Sequence, residues 1–129
     1  MKSNWRITPK DDKVGQWSAI YVTMNPKGHI VMNRRAYEAV GSPEAFLLMY
    51  DTLNDRIGLK PAAANAPDAY RACPSGRHGG KLVRAFRLMQ ENGLDIPETV
   101  QFHDAAVDND VLILDRRIAK VSPRAKRSS

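Results

Sequence analysis

A single cysteine, Cys73, stands in 129 residues, so no internal disulfide can form. With no second cysteine and no histidine at ligand spacing around it, a zinc knuckle is excluded as well. No stretch approaches the roughly 18 to 20 uninterrupted apolar residues of a membrane helix. The opening Met1-Lys2-Ser3-Asn4-Trp5-Arg6 also lacks the apolar run of a signal peptide, which places the chain in the cytoplasm as an expectation. What remains is 43% apolar and 26% charged, enough for one domain with a core of its own.

Acids are missing from the last fourteen residues, and this locates the +6 net charge. Arg116, Arg117, Lys120, Arg124, Lys126 and Arg127 account for all of it, while the first 115 residues balance at 14 basic against 14 acidic. The balanced body is patterned. Residues 1–35 carry +5 and 36–70 carry −3; residues 71–90 then carry +5 with no acid, and 91–115 carry −7 with no base. A mixed surface would not alternate in this way, and the order points to one module occurring twice.

Glycine spacing supports the repeat. Gly28 and Gly41 are 13 residues apart, as are Gly80 and Gly93, at an offset of 52. At that offset Ile30 and Val31 fall on Leu82 and Val83, and Arg35 falls on Arg87. With one or two inserted residues, Asp51 matches Asp104, and Ile57, Gly58 and Leu59 match Val111, Leu112 and Ile113.

Each copy reads as strand, strand, helix, strand, strand. In the first, Ile20, Val22 and Met24 alternate with Tyr21 and Thr23, and Asn25-Pro-Lys-Gly28 makes a turn. His29 to Met32 continues as strand, and Asn33 caps a two-turn helix that stops at Gly41. Phe46 to Tyr50 predicts a strand buried on both faces, Thr52 to Asp55 a turn, and Arg56 to Leu59 a returning strand before Pro61. In the second, Tyr70 to Cys73 predicts a strand, Ser75 to Gly80 a turn, Lys81 to Val83 a strand, and about Ala85 to Asn92 a helix capped by Gly93. Val100 and Phe102 alternate with Gln101 and His103, Asp108 to Asp110 turn, and Val111 to Leu114 return. Copies of this length cannot bury their own apolar faces, so residues 1–115 are expected to form one domain of two repeats, about 16–61 and 68–115. Residues 116–129 are expected to be a disordered basic tail.

The first copy, Asn25-Pro-Lys-Gly-His-Ile-Val-Met-Asn33, then Arg34 to Gly41, and at the end Asp55-Arg-Ile-Gly-Leu-Lys-Pro61, resembles the SpoVT/AbrB-type swapped-hairpin domain over residues 19–61. Lys27, Gly28, Ile30, Met32, Val40, Gly41, Ile57, Leu59 and Pro61 carry the resemblance, while Asn33 stands where the family has proline and Tyr37 where it often has a helix arginine. Two such units in one chain are similar to the arrangement of the MraZ proteins. The resemblance implies a β-rich α+β fold in which two repeats interleave as one swapped-hairpin barrel. It also implies DNA-binding transcriptional regulation or an antitoxin role.

Seven basic residues on turns and helix starts are the candidate contacts with duplex DNA: Lys27, Arg34, Arg35, Arg77, Lys81, Arg84 and Arg87. Their cations suit phosphates, and arginine can also read guanine edges; the plain alternative is a set of solvated surface charges. Arg116, Arg117, Lys120, Arg124, Lys126 and Arg127 would hold nucleic acid without sequence preference, by counterion release. Enzyme motifs fail. A phosphate-binding loop ending at Lys81 would need glycine at Ser75 and a hydroxyl at Leu82; His29, His78 and His103 are too far apart for a triad or a metal site; and the ligand pattern begun by Asp108 and Asp110 goes no further. No catalytic residue, metal or cofactor is therefore expected. Trp5 and Trp17 are expected to pack on the body. Duplex DNA is the first partner expected, with a second copy or another protein as the further candidate, and no membrane. The competing reading is a non-enzymatic interaction or structural module of the same fold without specific DNA binding.

Overall fold

A computed structural model describes residues 20–121. Trp5, Trp17, Arg124, Lys126 and Arg127 lie outside the described residues. The elements run β1 (Val22–Met24), β2 (His29–Met32), α1 (Arg34–Ala39), β3 (Ala45–Asp51), β4 (Arg56–Ala62), β5 (Tyr70–Arg71), β6 (Cys73–Ser75), β7 (Gly80–Arg84), α2 (Phe86–Asn92), β8 (Val100–Gln101), β9 (Ala106–Asp108), β10 (Val111–Asp115), a 3₁₀ turn (Arg116–Ile118) and β11 (Lys120–Val121). Among the described residues the architecture is β-rich with two α-helices, and the two sheets are open.

The first sheet has the order β11-β8-β1-β2-β7-β6, and the second β5-β3-β4-β10-β9. Each contains an antiparallel pair with one strand from each half of the chain. In β2·β7 the rungs are Ile30↔Val83 and Val31↔Leu82, and in β4·β10 they are Gly58↔Ile113 and Leu59↔Leu112. The residues matched by sequence therefore lie on adjacent rungs at the centre of both pairs, each facing its counterpart's neighbour, the register that a pseudo-twofold between the two rungs produces. The two faces enclose one cluster that mixes both halves: Val22, Met24, Ile30 and Met32 from β1 and β2, Ile57 and Leu59 from β4, Leu112 and Leu114 from β10, with Phe46, Val83, Leu88, Met89 and Phe102. Strict alternation along β1, β2 and β10 sends every second side chain into it.

Local chemistry places the helices as expected. The Asn33 side chain accepts from the Ala36 N–H at 2.9 Å and also from the Tyr21 N–H at 3.1 Å, so one amide caps α1 and fastens it to the chain entering β1. At α2, Gly93 closes the helix in the left-handed conformation, φ +62°. Asn109 and Asp110, with φ +51° and +66°, form the two-residue turn between the paired Asp108 and Val111, where short polar side chains tolerate positive φ.

Several expectations give way to tertiary context. Tyr70 to Cys73 is not one strand: β5 joins the second sheet beside β3 and β6 joins the first beside β7, with Ala72 as the crossing point. Val100 and Gln101 do not form the final hairpin of the second half. They pair with β1, and the hairpin partner of β10 is β9. Asp104 accordingly lies in a turn before β9, whereas Asp51 ends β3, and the two are not counterparts. Strand β3 is buried on both faces only at Ala45 and Phe46, because beyond them the sheet is covered on one side and Met49 is exposed. Strand β4 runs through Pro61 to Ala62. Pro61 pairs with Phe46 on one side but lies beyond the first residue of β10 on the other, where no ladder N–H is required.

The chain does not leave the fold at Asp115. The Asp115 side chain caps the 3₁₀ turn by accepting from the Arg117 N–H at 3.0 Å, and β11 then adds to the edge of β8. The expected disordered tail therefore gives way to folded structure through Val121, because Arg116 finds a carboxylate at Asp55 and Lys120 and Val121 find an unpaired strand edge.

Candidate nucleic-acid interface

The β2·β7 pair distributes the basic residues to its two ends. Because the strands are antiparallel, the start of β2 meets the end of β7, His29↔Arg84, and the end of β2 meets the start of β7, Met32↔Lys81. A turn of one half abuts the helix start of the other at each end. The Gly28 carbonyl accepts from the Ala85 N–H at 2.7 Å, and an added Cβ on Gly28 would lie 2.8 Å from the Phe86 Cα. At the opposite end, an added Cβ on Gly79 would lie 3.0 Å from the Arg34 Cδ, and one on Gly80 would lie 3.0 Å from the Met32 carbonyl oxygen.

Around the second of these ends Asn33, Arg34, Arg35, Glu38, Arg77, His78 and Gly79 line a cleft of about 530 Å³. It adjoins an apolar slot of about 200 Å³ whose walls include Tyr21, Val31 and Met32. Arg34 is 70% exposed and donates through Nε to Glu38 at 2.9 Å, which orients its guanidinium at the rim. Three of the sequence-predicted residues, Arg34, Arg35 and Arg77, are thus brought to one cleft, and His78 and Asn33 join them. The run Gly76-Arg-His-Gly-Gly80 is the signal that places His78 there, since its glycines make the turn and bring its polar residues to the surface.

At the other end lie Lys27, exposed in the β1–β2 turn, Arg84 at the end of β7 and Arg87 on α2. Arg87 donates through Nε to Glu91 at 3.0 Å, and this hydrogen bond is the main cause of its raised pKa. Both helices thus carry an exposed arginine tied to a glutamate one turn later, an arrangement that adds little stability but narrows the guanidinium's range. Phe86, with 53% of its surface exposed, stands at this end with its backbone against Gly28. Lys81 is committed elsewhere: its Nζ lies 5.3 Å from the Tyr37 ring centroid. The Tyr37 hydroxyl donates to the Pro43 carbonyl, and burial, followed by the nearby Glu44 charge, raises its pKa.

Of the basic stretch after Asp115, Arg116 is turned inward. Its Nη1 lies 2.8 Å from Asp55 Oδ1 and its side chain is only 20% exposed. Arg117 pairs with Asp115, and Lys120 is exposed on β11. Half of the candidate nonspecific cations therefore sit on the folded body rather than in a separate tail.

No protein-family model, curated protein or solved structure matches this chain. Among the described residues no group of three or more His, Cys, Asp or Glu is placed to hold a metal ion, and no helix is long and apolar enough to cross a membrane.

Proposed function

We propose that this protein is a DNA-binding transcriptional regulator or antitoxin-like protein of the SpoVT/AbrB type, a pseudo-dimer within one chain whose repeats interleave as a swapped-hairpin body. Support for the fold reading comes from the two central strand pairs, each with one strand per half, and from the seating of each half's turn on the other half's helix start.

The observation that carries the DNA reading is the placement of two basic clusters at opposite ends of β2·β7. Arg34, Arg35 and Arg77 mark one end, and Lys27, Arg84 and Arg87 the other. Three residue steps from His29 to Met32 span about 10 Å, so the strand pair that separates the clusters is no longer than the roughly 12 Å width of the major groove, which favours engagement of one duplex by both. Phosphate contacts from both ends would set the register, and arginines at the helix starts would reach base edges.

The test is binding to labelled random-sequence duplex DNA between about 50 and 200 mM salt, for the full chain and for a chain ending at Val121. The shortened chain should retain binding, and joint replacement of Arg34, Arg35, Arg84 and Arg87 by alanine should weaken it more than tenfold. That replacement should also flatten the dependence of log K on log salt, by up to about 3 to 4 if all four arginines rest on phosphates of random-sequence DNA, since each phosphate no longer neutralised removes about 0.9 from the slope. Loss of all binding on shortening to Val121 would overturn the reading and leave the body as a protein-interaction module.

A further inference from the structure

The pseudo-twofold relates backbone positions, and at its decisive positions the side chains differ. Arg34 and Phe86 are the first residues of α1 and α2, 52 apart, and each seats against the turn glycines of the other half. One is a guanidinium held at a cleft rim by Glu38, and the other is an exposed aromatic ring. The helix ion pairs are displaced too. On α1 the paired arginine is at the first position, Arg34–Glu38, and on α2 it is at the second, Arg87–Glu91. The facing turns are likewise unequal, Gly76-Arg-His-Gly79 at one end and Asn25-Pro-Lys-Gly28 at the other. Even the caps differ, since Asn33 bonds the helix N–H of Ala36 and Ala85 makes no side-chain cap.

We propose, resting on the DNA reading above, that the two ends form chemically unequal half-sites, so the protein binds duplex DNA in one orientation. The Arg34 end takes guanine and the Phe86 end takes thymine at the pseudo-twofold-related position. Arginine pairs with guanine O6 and N7 in the major groove, where no other base offers two acceptors side by side. Phe86 has no hydrogen-bonding atom to offer, and the partner that suits an exposed ring in a groove is the thymine C5 methyl. Between the ends, the cross-strand pairs are Ile30↔Val83 and Val31↔Leu82, whose apolar side chains cannot hydrogen-bond a base or phosphate. Base discrimination therefore rests on the helix starts and turns, where the halves differ most.

The experiment is selection of the full chain against a random-sequence duplex library at fixed salt, followed by binding to the enriched site and to its two palindromic derivatives, each built from one half-site doubled. The expected motif is not palindromic, carries guanine on one side and thymine on the other, and binds about tenfold or more tightly than either palindrome. Arg34→Ala should relax preference at the guanine alone and Phe86→Ala at the thymine alone. Phe86→Arg should move preference toward the doubled guanine half-site, a gain that damage to the fold would not produce. Enrichment of a palindrome, or relaxation of both positions by either alanine variant, overturns the inference while the DNA reading stands. Failure of the library to enrich any sequence, with binding that depends on salt alone, overturns the sequence-reading role of both residues and leaves only phosphate contact.

Discussion

Gly28 lies against the backbone of Phe86, with its carbonyl 2.7 Å from the Ala85 N and its missing Cβ replaced by the start of α2. Its φ of +85° already favours glycine. Two independent constraints therefore meet at one residue. Gly41 shares the positive φ, +88°, but has nothing within 4 Å of an added Cβ. Gly41→Ala should then cost about 1 kcal/mol, the left-handed backbone term alone, whereas Gly28→Ala should cost about 2 to 4 kcal/mol, because α2 must move as well. Urea unfolding of both variants checks this, and equal losses would mean that the turn and helix are not wedged together.

Asp55 and Arg116 are 61 residues apart in sequence and 2.8 Å apart in space. The same Asp55 Oδ1 accepts from the Tyr50 hydroxyl at 2.5 Å, a bond that is the main cause of the raised Tyr50 pKa. A double-mutant cycle with Asp55→Asn and Arg116→Ala should give a coupling of about 1 kcal/mol, and asparagine is the suitable replacement because Asp55 has φ +52°. Additive losses would show that the pair is solvated in solution.

The same contact makes the position of a C-terminal truncation matter. A chain ending at Val121 keeps Arg116, the 3₁₀ turn and β11, and should unfold at the same urea concentration as the full chain. A chain ending at Asp115 loses all three and bares the edge of β8, so its midpoint should fall. Identical midpoints for the two truncations would place the true boundary at Asp115.

Acid should destabilise the β3–β4 hairpin through Asp51. Its side chain accepts from Asn54, from Arg56 at 2.9 Å and from the Leu53 and Asn54 N–H groups, which hold its pKa well below the usual carboxylate range. Asp115 is lowered as well, chiefly by its side-chain hydrogen bond from Arg117. A depressed folded-state pKa contributes stability that is fully present above the unfolded value, about 4, and is lost as pH falls through the folded value. The melting temperature should therefore decline steadily below about pH 4, and Asp51→Asn should decline less steeply across the same range. Parallel pH profiles would remove Asp51 as a contributor.

Much of the backbone plan was legible in the chain. Asn33 and Gly93 mark helix ends because capping is a contact between near neighbours, and the 52-residue spacing of Gly28/Gly80 and Gly41/Gly93 survives because turn geometry is local. Strand partners were harder to read. Tyr70 to Cys73 reads as one strand, but Tyr70 and Arg71 find an edge at β3 and Cys73 starts a strand that finds an edge at β7. Val100 and Gln101 alternate as a hairpin strand would, yet the available edge is β1. Of the basic residues singled out by sequence, Arg34, Arg35 and Arg77 converge on one cleft, whereas Lys81 is held over Tyr37, and the exposure of Phe86 follows from packing that the sequence does not display.

By itself the sequence determined the turns and the helix limits, since each depends on residues within a few positions of one another, and it displays the 52-residue spacing of its glycines and the segregation of its charge. Only the tertiary structure decided which strand edges meet, that the basic stretch is folded through Val121, and that Arg34 and Phe86 each stand exposed against a turn glycine of the other half. Those outcomes depend on which unpaired edge or carboxylate lies within reach once the core has closed, and spacing along the chain does not encode that reach.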